Sequence, residues 1–430
     1  MAESVEDQTV PIGYLALVKG NRDYRSLWMG EIVSLFGDWF NLIASAALVA
    51  HLTSSGLAIG GLFVVRMLAP FLVSPLAGVI ADRYNRKGLL IAADLSRAAV
   101  VLGFLLVRDA RYVWLLYLLT AIQLGISGFF FPARNAILPD ILARREIGAA
   151  NALSSATWSV MLALGSALGG VVAGEWGIYP AFVIDSLTFV VSAFFIARIN
   201  YHRSTDLIQS GGSLRAGLRQ YLDGLGYLRR HLDVLAISLH KGAISLTVNG
   251  VFQVVQVALA ERVFVIGEGG GTSLGLLYAA AGFGTGLGPI LARRFTGDRA
   301  PLLRRFLALS YLICILGLLI MAPLSSFPVV LFGSILRALG AGINWVFSTT
   351  LLLHLVPSQV RGRVFSTEFG LFTLANALGA AAGGWILDNT LVDLSGMLRW
   401  MAVLTLIPGL LWFIWITVAK MPQPSPAGEG

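Results

Sequence analysis

The sequence predicts an all-α integral membrane protein whose twelve transmembrane helices form two six-helix pseudo-repeats. Three observations lead there. Of the 430 residues, 57% are hydrophobic and only 13% charged, and the mean hydropathy of +0.78 exceeds what a water-soluble globular chain reaches. The apolar residues fall into twelve stretches, each long enough to cross about 30 Å of hydrocarbon at about 1.5 Å per helical residue. The halves of the chain also repeat, with Leu164-Gly-Ser-Ala-Leu-Gly-Gly170 returning 214 residues later as Leu378-Gly-Ala-Ala-Ala-Gly-Gly384.

Residues 1–25 are a polar, cytoplasmic start, and 1–13 carry neither the basic region nor the apolar region of a signal peptide. Spans are expected near 26–52, 57–80, 88–107, 112–132, 149–172 and 179–198, making a first bundle over 26–199. The polar segment 200–232 holds Arg203, Arg215, Arg219, Arg229 and Arg230 with Leu at helical spacing, so part of it is expected to lie as an amphipathic helix on the membrane surface. Six more spans, near 233–259, 272–292, 303–322, 328–352, 364–387 and 398–419, make a second bundle over 233–419. The Pro/Gly-rich tail 420–430 is expected to be disordered.

Cations orient this layout. Of the 31 Lys and Arg, 23 fall in the segments that lie on the same side as both termini. Four fall on the other side (Arg108, Arg111, Arg262, Arg399) and four within spans (Arg66, Arg97, Lys241, Arg337). The positive-inside rule then makes both termini cytoplasmic, and the net charge of +8 follows from topology and attraction to anionic lipid, with no need of nucleic acid. The single Cys314 sits in an apolar run and reads as a small core residue.

Between spans 2 and 3 the apolar run breaks at Asp82, Arg83, Arg86 and Lys87, a loop so short that its flanking helices must be antiparallel neighbours. With Gly78, these residues resemble the signature loop Gly-x-x-x-Asp-Arg-x-x-Arg-Lys of the major facilitator superfamily, Asn85 standing where the family often has Gly. Phe36-Gly-Asp-Trp39, Phe131-Pro-Ala-Arg-Asn-Ala-Ile-Leu-Pro139 and Val356-Pro-Ser-Gln-Val-Arg-Gly-Arg-Val364 further resemble bacterial drug and metabolite exporters, the group that includes macrolide-efflux and enterobactin-exporter-like proteins. The resemblance implies a monomeric transporter of a bacterial cytoplasmic membrane, whose two bundles rock about a midplane site. It also implies export of a small amphipathic drug or secondary metabolite, macrolide-like or siderophore-like, driven by an ion gradient of protons and needing no cofactor. Asp82 would latch one rocking state against the start of span 11, where Arg361, Arg363 and Glu368 lie. Other readings are a lysophospholipid translocator and a non-transporting membrane receptor on the same fold.

Charged residues within spans are the sharpest clues, because an unpaired charge in hydrocarbon costs at least about 2.5 kcal/mol. Glu31 and Asp38 are two helical turns apart on one face of span 1. Asp38 lies roughly 18 Å deep and Arg66 of span 2 roughly 21 Å deep, counted from the cytoplasmic end. Asp38, Glu31 and Arg66 are therefore proton-coupling candidates, Asp38 being either a carboxylate tuned by Arg66 or its permanent ion-pair partner. Asp94 and Arg97, at i and i+3, are expected to pair structurally, and Asp185 is read as a gate or packing residue.

Asn249, Gln253 and Gln256 make a polar stripe on span 7 that faces water, a neighbouring helix or a ligand. In the resembled fold spans 1, 4, 7 and 10 line the cavity, which would add Asn41, Gln123, Arg337 and Asn344 to the substrate candidates, with Phe40, Phe252, Trp345 and Phe347 as apolar wall. Arg337-Ala-Leu-Gly-Ala-Gly342 resembles the Arg-x-x-x-Gly signature that the family usually carries in span 4, whereas Ile122-Gln-Leu-Gly125 has no Arg. Gly271-Thr-Ser-Leu-Gly275 matches the nucleophile-elbow spacing but opens a membrane helix, so no esterase is expected. No phosphate-binding loop of the Gly-x-x-x-x-Gly-Lys type is present, and the five His form no ligand cluster.

Overall fold

The computed structural model describes residues 13–201, 225–297 and 299–418. The expected surface helix in 200–232 and the tail 420–430 fall largely or wholly outside them. Among the described residues, twelve helices long and apolar enough to cross a membrane stand where the twelve spans are expected. They are α1 (Arg22–Thr53), α2 (Gly56–Arg83), α3 (Arg86–Leu106), α4 (Val113–Ile141), α5 (Arg145–Trp176), α6 (Ile178–Ala197), α7 (Leu232–Arg262), α8 (Gly271–Thr296), α9 (Ala300–Met321), α10 (Phe327–Leu355), α11 (Ser358–Asn389) and α12 (Leu394–Val418). A short helix, Tyr14–Gly20, precedes α1.

Short polar residues decide where helices begin. Asn21 caps α1 by accepting from the Tyr24 N–H at 2.9 Å, Ser55 caps α2 through Ala58 at 3.1 Å, and Asn85 caps α3 through Gly88 at 3.0 Å. The departure from Gly at Asn85 thus has a local reason, since its side chain starts α3. Pro132 and Pro139 of α4, Pro289 of α8 and Pro408 of α12 lie inside helices, as neighbouring helices permit in a membrane protein. In α5 and α7 the regular helix is interrupted by π turns, at Met161–Gly165, Val172–Trp176 and Ser245–Asn249.

In the first six helices α1 packs on α6, α6 on α3, α3 on α4 and α4 on α2; in the second six the principal neighbours are α8 with α10, α10 with α9, α9 with α12 and α7 with α11. The two main contacts between the groups are α2 with α11 and α5 with α8, and the repeat exchanges one for the other. Twelve alternating spans put the start of α1 and the end of α12 at one end of the molecule. The α1–α2 turn lies at the other, and there the groups close on one another.

The repeated Leu-Gly-x-x-x-Gly-Gly motif explains this closure. A Cβ on Gly170 of α5 would sit 2.6 Å from the Gly275 Cα of α8, and one on Gly60 of α2 would sit 2.6 Å from the Ala380 carbonyl of α11. Gly384 of α11 meets the Gly56 carbonyl of α2 just as closely. Backbones touch here, and only hydrogen side chains fit. Gly60 and Gly275, one half-chain apart, occupy reciprocal places in the two contacts.

Candidate functional site

Arg97 of α3 is the hub of the first group. Its side chain is almost fully buried between the rings of Phe189, 4.1 Å from its centroid, and Phe130, at 4.9 Å. It pairs with Asp94 one turn earlier and, at 3.7 Å, with Asp38 of α1. Asp38 therefore finds its partner on α3, and it is not within ion-pair distance of Arg66. The reason is packing: α1 and α2 diverge from the tight Ser54–Ser55 turn, and α1 lies instead against α6, which brings α3 close. Arg66 remains an electrostatic neighbour of Asp38 and Asp185 and reaches toward Tyr278 of α8, with its Nη1 atom making no hydrogen bond.

Asp185 of α6 completes the cluster. It is 0% exposed and neither carboxylate oxygen accepts a hydrogen bond. Gly37 admits it, because a side chain there would occupy the space taken by Asp185 and Thr188. Three carboxylates and two guanidinium groups thus share one region, in which Asp94, Arg97 and Asp185 are buried while Asp38 and Arg66 are partly exposed. The sequence shows each of these charges but reads Arg97 as structural and Asp185 as a gate or packing residue, since no spacing in one chain says which helices touch.

Glu31 belongs elsewhere. Its carboxylate pairs with Arg134 of α4 at 2.9 Å and accepts from the Ser154 hydroxyl of α5 at 3.2 Å, tying α1, α4 and α5 together two turns away from Asp38. Arg134 stands in the Phe131–Pro139 motif, which gives that motif a packing role.

In the second group, Lys241 of α7 pairs with Glu368 of α11 at 3.0 Å; both are buried, and the ammonium also lies 4.5 Å from the Trp345 ring centroid. Glu368 is therefore committed within its own group rather than to the signature loop. In that loop Arg86 pairs with Asp140 at 2.7 Å and Lys87 donates to the Ile199 carbonyl at 2.8 Å, both inside the first group. Arg361 folds back on the end of α10, donating to the Leu353 carbonyl at 3.1 Å. Gly78 and the side chains of Asp82 and Arg83 lie outside the described residues, while Arg363 is engaged.

The α7 stripe meets neighbouring helices one residue at a time. Asn249 accepts from Arg337 of α10 at 3.2 Å, Gln253 donates to Asn376 of α11 at 3.1 Å, and Gln256 is buried beside Tyr278. The π turn ending at Asn249 shifts that residue around the helix relative to regular spacing. Arg337 also lies over the Phe252 ring at 3.9 Å. Asn41 accepts from Ser45 at 3.2 Å, and Gln123 and Asn344 are buried with amide atoms that lack hydrogen bonds. Of the four expected wall aromatics, Phe347 packs against Phe306 in the core, and Phe40 and Phe252 are also buried. Trp345 is 41% exposed and stacks edge-on to Phe372 at 5.0 Å. Between the groups, Trp39 of α1 lies 6.0 Å from Tyr278 of α8, beside Asp38.

The sequence matches the family profile described as Major Facilitator Superfamily over residues 27–299 and 263–430. It is 26% identical to BacE of Bacillus amyloliquefaciens, described as a bacilysin exporter, over 84% of this chain and 88% of that one. It is 21% identical to macrolide efflux protein A of Streptococcus pyogenes, over 88% of this chain and 91% of that one. The fold superimposes on the crystal structure of a bacterial homologue of the iron transporter ferroportin with a TM-score of 0.68 at 14% identity, covering 92% of this chain and 99% of that chain. With its twelve spans and its glycine-lined closure between two six-helix groups, the chain belongs to the Major Facilitator Superfamily.

Proposed function

We propose that this transporter exports a small amphipathic compound, of the macrolide or peptide-antibiotic kind, across a bacterial cytoplasmic membrane in exchange for protons. The chain works as a monomer with both termini in the cytoplasm. The charge cluster of Asp38, Asp94, Asp185, Arg97 and Arg66 carries the reading: its formal charges do not cancel, so it accommodates one exchangeable proton. The efflux proteins among its relatives support the direction. Trp39, Tyr278 and Trp345 supply apolar faces that suit an amphipathic ligand.

In everted membrane vesicles carrying the overproduced protein and acidified in the lumen, erythromycin or bacilysin added to the outer medium should release protons from the lumen, read by a fluorescent pH gradient dye. Accumulation of either compound with no proton release would reject antiport.

A further inference from the structure

We propose that Asp185, rather than its neighbour Asp38, is the carboxylate that takes up and releases the coupling proton. The assignment rests on the antiport reading above and narrows it to one atom pair. Asp38 and Asp94 both have Arg97 as ion-pair partner. Asp185 has none. It is wholly buried, its two oxygens accept no hydrogen bond, and the Asn41 amide beside it stops short of bonding geometry.

An ionised carboxylate in dry protein without partners is strongly disfavoured, whereas the neutral acid fits there. The charged groups that face Asp185 are Asp38 from α1, Arg66 from α2 and Arg97 from α3. Asp38 opposes a second negative charge nearby. Arg97 is already committed to Asp38 and Asp94, which leaves Arg66, with its Nη1 unbonded, as the cation free to approach when the proton leaves. Arg66 also faces Tyr278 of the second group, so a swing toward Asp185 would change a contact between the groups. That links proton release to rocking.

The site suits a proton and not a metal ion. A metal ion needs a shell of several oxygens, and among the described residues no three His, Cys, Asp or Glu side chains come together to hold one. Two guanidinium groups nearby would also repel it, while a proton leaves the acid neutral. In the cycle, a proton from water on the external side forms the O–H bond of Asp185, and the same bond breaks to return a proton to water on the cytoplasmic side.

Infrared difference spectroscopy of the full chain in liposomes, stepped in pH, reads this without a substrate. A carboxylic acid C=O band should appear in wild type, vanish in Asp185→Asn, move in Asp185→Glu and remain in Asp38→Asn. A band unchanged in Asp185→Asn overturns the assignment, and so does a band that stays in place in Asp185→Glu, which covers the case where the Asn variant does not fold. Failure of antiport itself is a separate result, read as export without proton release in the wild-type vesicles.

Discussion

The Asp388 carboxylate at the end of α11 caps the start of α2 in the other six-helix group, accepting from the Gly56 N–H at 2.6 Å, the Leu57 N–H at 2.8 Å and the Ser55 hydroxyl at 2.6 Å. Free N–H groups and the partial positive charge of a helix start both favour an anion there. Arg262 of α7 adds a contact to the Ser54 carbonyl in the same turn. A polar clasp thus sits beside the Gly60–Ala380 contact, on the side that the cation count assigns to the exterior.

Loss of this clasp should bias the transporter toward opening at that end. Charge and hydrogen bonds together are worth about 1 to 2 kcal/mol, a factor of roughly 5 to 30 in a two-state ratio. Spin-label distances between the α1–α2 turn and the α11–α12 connection, measured on a Cys314→Ser background, should show a grown long-distance population in Asp388→Asn. An unaltered distribution would mean that glycine packing alone holds the closure.

The architecture was legible because the bilayer imposes it: span length, cation bias and the half-chain repeat each follow from solvent physics and survive without any contact information. Gly60 and Gly275, one half-chain apart, prove to be counterparts in the closure. Pairings between helices were not legible, whereas the Asp94–Arg97 pair within α3 was. Depth along a helix placed Asp38 and Arg66 level with each other, but which face of α1 meets which neighbour depends on α6 fitting against Gly37. The partners of the α7 stripe were hidden for a related reason, because a π turn breaks the regular spacing on which the stripe was drawn. Aromatic residues carried the weakest signal. Phe347 and Trp345 are two residues apart, yet one is core and the other exposed.

The Lys241–Glu368 pair should govern stability more than transport specificity. Both groups are buried, so removing one leaves the other charged without compensation, at a cost of about 3 to 5 kcal/mol, while replacing both with apolar residues can be nearly neutral. Lys241→Met and Glu368→Leu should each lower the unfolding temperature in detergent, and the double variant should recover most of the loss. If the losses simply add, the two side chains act independently and the pair does not tie α7 to α11.

Arg337 offers the last prediction. It spans α10 to α7, holding Asn249 by a 3.2 Å hydrogen bond and stacking on Phe252 at 3.9 Å, and its Nε is left without a partner. A guanidinium so placed presents a planar cation with a free donor at the junction of two helices that the family uses to line its cavity. Asn249 then serves to orient Arg337, and Gln253, which is tied to Asn376 on α11, has no part in it. Asn249→Ala should weaken apparent drug affinity several-fold, as should Arg337→Lys, which keeps the charge but loses the flat face. Because both act on one contact, the double variant should be little worse than either single one, whereas Gln253→Ala should add independently to each. Dose-dependent binding of erythromycin to purified protein gives the four affinities of the first cycle. Full additivity of Asn249→Ala with Arg337→Lys would show that their hydrogen bond does not position the guanidinium.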